Sequence, residues 1–171
     1  MRAKTILLLT FVMLFGLQTS FGQDPEFVKQ IRSDVGRINK SLKKYKKETK
    51  LVEGISLEGT EANFYSSRYG LRKVEAEMFG ETFRANAAFY YKNGELIFAF
   101  YQFNRYDTHI SADPPPKVVK TEEKRFYFVD GKLKRLLMDK ESASSDSKEW
   151  KEALELISDL DGKLRKALAN G

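Results

Sequence analysis

Apolar residues recur along this chain in two rhythms. Phe27, Ile31, Val35, Ile38, Leu42 and Tyr45 follow one another at intervals of three or four, which lines them along one face of an α-helix. Asp24-Pro25-Glu26 supplies its start, since Asp can cap free amides, proline is tolerated in the first turn, and an early Glu complements the helix dipole. The helix is expected to run on into a lysine-rich end, Lys40 to Lys50, with Gly54 as its exit.

From Glu61 to Met138 the rhythm becomes alternating, and 16 of the 19 aromatic residues after position 22 fall in this span, which argues for sheet. Strands are expected at about 61–66, 71–79, 84–91, 95–106, 118–128 and 132–138. Phe89-Tyr90-Tyr91-Lys92-Asn93-Gly94-Glu95-Leu96 and Phe126-Tyr127-Phe128-Val129-Asp130-Gly131-Lys132-Leu133 share one hairpin pattern, and Phe64 to Leu71 is a weaker relative. Asn-Gly and Asp-Gly suit two-residue turns because both central positions need positive φ. Asp107 to Lys117, with Pro114, Pro115 and Pro116, is a loop.

Alternation places Val74, Ala76 and Met78 opposite Lys73, Glu75 and Glu77. In the fourth strand Leu96, Phe98 and Phe100 are expected to point one way and Ile97, Ala99, Tyr101 and Phe103 the other, so the centre of the sheet is apolar on both sides. After the polar stretch Glu141 to Ser147, Trp150, Leu154, Ile157, Leu160, Leu164 and Leu168 form the stripe of a second helix. The expected fold is α+β: an N-terminal helix, an antiparallel meander of about six strands, and a C-terminal helix packing on the sheet.

The first 22 residues differ from the rest. Arg2 and Lys4 precede the apolar run Ile6 to Leu17, and Ser20-Phe21-Gly22 offers small residues at alternate positions, the arrangement of a secretory signal peptide. The run is shorter than the roughly 18–20 residues that span a bilayer. Export to the periplasm or beyond is expected, leaving residues 23–171 as a single α+β domain with no transmembrane segment. That remainder carries a formal charge of +4, a surplus too modest to point to nucleic acid.

Composition excludes much chemistry. With no cysteine there is no thiol nucleophile, thiolate zinc site, iron–sulfur cluster or disulfide, and with His109 as the single histidine there is no multi-histidine metal centre within one chain. No nucleophile elbow or phosphate-cradling glycine loop accompanies His109. Glu75 with Glu77, and Glu122 with Lys124, fit the alternating charges of a solvated sheet face, and Asp159 and Asp161 are too sparse for a calcium loop. The sequence therefore assigns no catalytic residue, cofactor or metal.

The aromatic-Asn/Asp-Gly-x-Leu hairpins at 89–96 and 126–133 resemble the hairpin repeats of bacterial envelope proteins, including the MORN-like variant type. The order of signal, helix, sheet and helix is similar to small exported proteins of Gram-negative bacteria and to β-lactamase-inhibitor-type modules. Those likenesses carry no functional residue over; the double-sided aromatic fourth strand and the missing catalytic equipment lead instead to the expectation of an exported, non-catalytic binding or accessory module. Two surfaces remain as binding candidates. Tyr90, Tyr101 and Tyr127 would form an aromatic sheet face for an envelope protein, peptide or glycan, tyrosine being favoured at recognition surfaces. Lys43, Lys44, Lys46 and Lys47 would instead meet a polyanion or an anionic envelope surface. An enzyme built on a sheet-lined cavity is the third class.

Overall fold

The computed structural model describes residues 24–170; the expected signal segment 1–22 lies outside them. Helix α1 (Glu26–Ser41) is followed by a 3-10 turn (Leu42–Lys44), then by β1 (Lys46–Leu51), β2 (Thr60–Ser67), β3 (Gly70–Gly80), β4 (Phe83–Lys92), β5 (Glu95–Tyr106), β6 (Val118–Val129), β7 (Lys132–Met138) and β8 (Glu141–Ser142), and finally by helix α2 (Lys148–Ala169). The eight strands make one antiparallel sheet in chain order, and a helix packs on each face. The α+β reading holds, with two strands more than the six expected.

Both additions flank the predicted meander. Residues 46–51 pair with β2, from Lys46 opposite Ser66 to Leu51 opposite Glu61, so the first helix stops at Ser41 rather than running to Lys50. The reason is legible afterwards: beyond Tyr45 no apolar residue continues the helical stripe, and Lys-Lys-Glu-Thr-Lys suits a sheet edge, where charged side chains discourage pairing with another chain. Two residues of the expected polar stretch, Glu141 and Ser142, form the other edge. The helix start also differs, since Asp24 does not cap α1. Its carboxylate takes Arg135 of β7 at 2.7 Å and also pairs with Arg32.

The three related hairpins are equivalent in three dimensions. In β2–β3, β4–β5 and β6–β7 the register shifts at the same place, between Tyr65 and Ser66, Tyr90 and Tyr91, and Tyr127 and Phe128. The turns Asn93-Gly94 (φ 54° and 84°) and Asp130-Gly131 (50° and 68°) meet the positive-φ requirement at both positions. In the first hairpin the positive φ falls on Gly70 (98°), after Arg68 and Tyr69. Each shift leaves an extra residue, Arg72, Ile97 or Lys134, and reverses the alternation. Leu96 consequently faces α2 with Ala99 and Tyr101, while Phe98 faces α1. The expectation that Leu96 and Phe98 share a face is corrected by this bulge.

The helices run across the strands. Along α1 the contacts progress from Arg135 of β7, at Asp24, to Lys92 of β4 at Asp34 and to Lys73 of β3 at Asn39. Sixteen residues are about 24 Å of helix, enough for the four strand steps between β7 and β3, about 19 Å. Helix α2 has 22 residues, about 33 Å, matching the seven steps of the whole sheet. Near its end Lys50 of β1 donates to the carbonyls of Ala167 and Leu168 at 2.9 and 3.4 Å. Beneath α2, Ile157 and Leu164 are fully buried against a layer that includes Phe64, Phe89, Phe126 and Leu136.

Candidate functional site

A crosswise helix covers a band of sheet rather than a face. On the α1 side the register sets residues in cross-strand rows. The row under the helix reads Tyr65, Lys73, Tyr90, Phe98, Tyr127, Arg135 from β2 to β7. Its rings run in sequence, Tyr90 to Phe98 at 5.8 Å and Phe98 to Tyr127 at 5.0 Å between centroids. Val28 and Ile31 of α1 pack with Tyr127 and with Leu137 of β7, and Asn39 accepts from Lys73 at 3.0 Å and from Tyr90 at 3.2 Å.

That packing determines what became of the predicted aromatic surface. Tyr90 and Tyr127 lie beneath α1 at 6% and 2% exposure, and Tyr101 lies on the other side of the sheet, at 8%, within the layer under α2. Burial, then the charge of Glu122, raises the Tyr101 hydroxyl above its ordinary value. The three tyrosines do not share a surface, because Tyr101 pairs with Ala87 in the opposite phase of the alternation. The groove that they were expected to line is filled by helix.

Farther from the hairpins no helix among the described residues packs on the α1 side of β2 to β6; only at β7 does the next row, through Leu137, still meet α1. The next row is Asn63, Glu75, Ala88, Phe100, Arg125, and beyond it come Glu61, Glu77, Asn86, Gln102, Glu123. The small side chain of Ala88 leaves a depression of about 320 Å³ bordered by Asn63, Glu75, Glu77, Asn86 and Phe100. Planar polar groups surround it. Arg125 holds Glu123 at 2.6 Å and lies 5.4 Å from the Phe100 ring, and Gln102 donates to Glu123 at 3.2 Å. Asn63 accepts from Thr49 at 2.7 Å, which leaves its amide nitrogen as a donor. Glu77 and Asn86, opposite each other on β3 and β4, are exposed.

The edge toward the helix is rigidly charged. Lys73, 5% exposed, reaches Glu75 at 2.6 Å, and the Tyr65 hydroxyl donates to Glu75 at 2.9 Å. Burial pushes the Glu75 carboxyl up, but Lys73 and Tyr65 outweigh it and hold it below the usual carboxylate range. Burial, with Glu75 beside it, pushes the Tyr65 hydroxyl up to about 12. At neutral pH this is an ionised carboxylate with fixed donors, suited to accepting hydrogen bonds rather than to moving protons.

The remaining candidates stand elsewhere. Lys43 and Lys44 sit in the 3-10 turn and Lys46 and Lys47 in edge strand β1, all exposed, with Lys46 3.7 Å from Glu48 and Lys47 6.0 Å from the Tyr65 ring centroid. His109 is exposed in the long loop, where its Nδ1 accepts from the Ser111 amide at 3.1 Å. Sequence reasoning missed Asn63, Asn86, Gln102 and Arg125 as site residues. The signal that could have found them was the polar phase of β2 to β6, once the first helix is known to be short. Compared with known proteins, the chain matches no family model, no curated protein and no solved structure.

Proposed function

We propose that the protein is an exported, non-catalytic binding or accessory module that holds an extended, hydroxyl-rich saccharide on the uncovered part of its α1-side sheet face. One observation carries this reading: over β2 to β6 the rows beyond the Tyr65–Tyr127 row are not packed against α1, and they present amide, carboxylate and guanidinium groups around Phe100 and the Ala88 depression. Vicinal hydroxyls both donate and accept, which matches carboxylates beside amides. A sugar's apolar face needs a flat apolar patch, which the Phe100 ring offers. Export rests on the N-terminal segment read from the sequence. The test is affinity electrophoresis through gels containing envelope polysaccharides, with wild type beside Asn86→Ala and Phe100→Ala. Retardation lost in both variants supports the reading; retardation unchanged in Asn86→Ala, whose exposed side chain holds nothing in the core, sinks it.

A second reading rests on the lysines. Lys43, Lys44, Lys46 and Lys47 lie in one short exposed stretch, which favours a polyanion or an anionic envelope surface. Binding by this route should weaken steeply with salt and disappear when the four are changed to Glu. Salt-insensitive capture would remove it.

A further inference from the structure

Away from the open sheet face, a cavity of about 250 Å³ lies between the second half of α1 and two hairpin ends, lined by Asp34, Arg37, Ser41, Tyr45, Arg72 and Lys92 among others. Three cations, Arg37, Arg72 and Lys92, line it with one carboxylate, to which Arg37 and Lys92 are bonded. Asp34 is 6% exposed, and its oxygens take Lys92 at 3.0 Å, Gln30 at 3.4 Å and the Arg37 guanidinium. One carboxylate neutralises one of the three cations, so the cavity keeps a formal excess of two positive charges.

The donors are held in place rather than splayed. Arg72 is the extra residue at the β2–β3 register shift, so its position in the chain is outside the regular pairing. Its Nε donates to the Ser67 hydroxyl at 3.0 Å and its guanidinium lies 5.7 Å from the Tyr69 ring centroid, which leaves its terminal nitrogens unused by those two contacts. Lys92 spends one ammonium proton on Asp34 and has two more. Arg37, bonded to Asp34 through one terminal nitrogen, has others to give. Ser41 and Tyr45 add hydroxyls to the lining.

We propose that this cavity binds a tetrahedral oxyanion, a phosphate or sulfate ester group. Two guanidinium forks and an ammonium around a small void match the several acceptor oxygens of such a group, and the neighbouring Asp34 keeps the cations from repelling one another when the cavity is empty. The site does not rest on the saccharide reading, since it uses none of the sheet-face residues. It also differs from a diffuse lysine surface, because its donors converge on one void.

The experiment titrates the protein with inorganic phosphate, inorganic sulfate, a sugar phosphate and vesicles of phosphatidylglycerol, following the arginine Nε–Hε signals by NMR at low and high salt. Arg72→Gln and Arg37→Gln are compared with a variant carrying Lys43, Lys44, Lys46 and Lys47 changed to Glu. Saturable shifts confined to Arg37 and Arg72, weakened about tenfold or more by Arg72→Gln and changed little in the lysine variant, are expected. A response to the sugar phosphate alone marks a soluble ester as the source, and one to vesicles alone marks a lipid headgroup; either supports the site. No saturable response from Arg37 and Arg72 to any of the four probes would overturn the proposal. So would equal losses in the Arg72 and lysine variants, or Arg37→Gln and Arg72→Gln both binding like wild type.

Discussion

The two faces of the sheet solve the same problem with different means. Under α2 the apolar layer is continuous from Ala62 and Phe64 on β2 to Leu136 on β7, and Ile157 and Leu164 on the helix are fully buried in it. Under α1 the apolar ground is narrow, and polar bonds do much of the seating: Asp24 to Arg135, Asp34 to Lys92, Asn39 to Lys73 and Tyr90. The difference matters for function. A face covered by apolar packing has no surface to spare, whereas a face that holds its helix by a few polar contacts at one end can leave the rest open to a ligand.

Removing the same side chain from each layer tests that contrast most directly. Ile157→Ala should cost about 4 kcal/mol, toward the upper end for a large-to-small change, because a rigid continuous layer relaxes little around the void. Ile31→Ala under α1 should cost about 2 kcal/mol, since its smaller cluster can close partly over the gap. Urea unfolding measures both, and equal losses would mean that the two layers are equally rigid.

The polar seat of α1 should respond to acid. Arg135 holds the Asp24 carboxyl below its ordinary value, with Arg32 adding to the effect against some burial. For Asp34 burial acts upward, but Lys92, Arg37 and Gln30 overcome it and the net shift is again downward. A carboxylate depressed in the folded state contributes its stability fully above the unfolded value, about 4, and loses it as pH falls through the lower folded value. Asp34→Asn should therefore be less stable than wild type by about 1 kcal/mol at pH 6, Asp24→Asn should be less stable in the same direction, and both should converge on wild type as pH drops toward 2. A gap that stays constant down to pH 2 would detach these carboxylates from the holding of α1.

How much of this was legible follows from where the alternation survives. The six central strands could be read within a residue or two at most ends because turns such as Asn93-Gly94 and Asp130-Gly131 announce their conformation. Edge strand β1 could not, since the spacing that identifies the helix continues to Tyr45 and nothing in Lys-Lys-Glu-Thr-Lys is buried enough to declare a strand. The tyrosines misled for a related reason. Tyr90 and Tyr127 looked available because sequence shows aromatic content but not which row a helix crosses, and Tyr101 falls on the opposite side. The open rows were encoded all along in Asn63, Glu75, Asn86, Gln102 and Arg125, but they looked like ordinary solvent-facing positions until the helix proved too narrow to cover them.

At its ends even α2 depends on polar groups, and small effects there sharpen the comparison. Ser147 caps the helix by accepting from the Trp150 amide at 3.1 Å, so Ser147→Ala should lose about 1 kcal/mol. Lys50 acts at the opposite end. Its side chain is 18% exposed, its ammonium bonds the Ala167 and Leu168 carbonyls, where the helix dipole favours a cation, and Glu48 stands 3.2 Å away. Lys50→Met keeps the aliphatic stem and removes the donors, so global stability should fall by only about 0.5 kcal/mol. The amides of the last helical turn should meanwhile exchange faster, with no change at Ile157. Unchanged protection in that turn would show that the apolar layer alone holds α2 to its end, and that β1 contributes an edge to the sheet but no anchor to the helix.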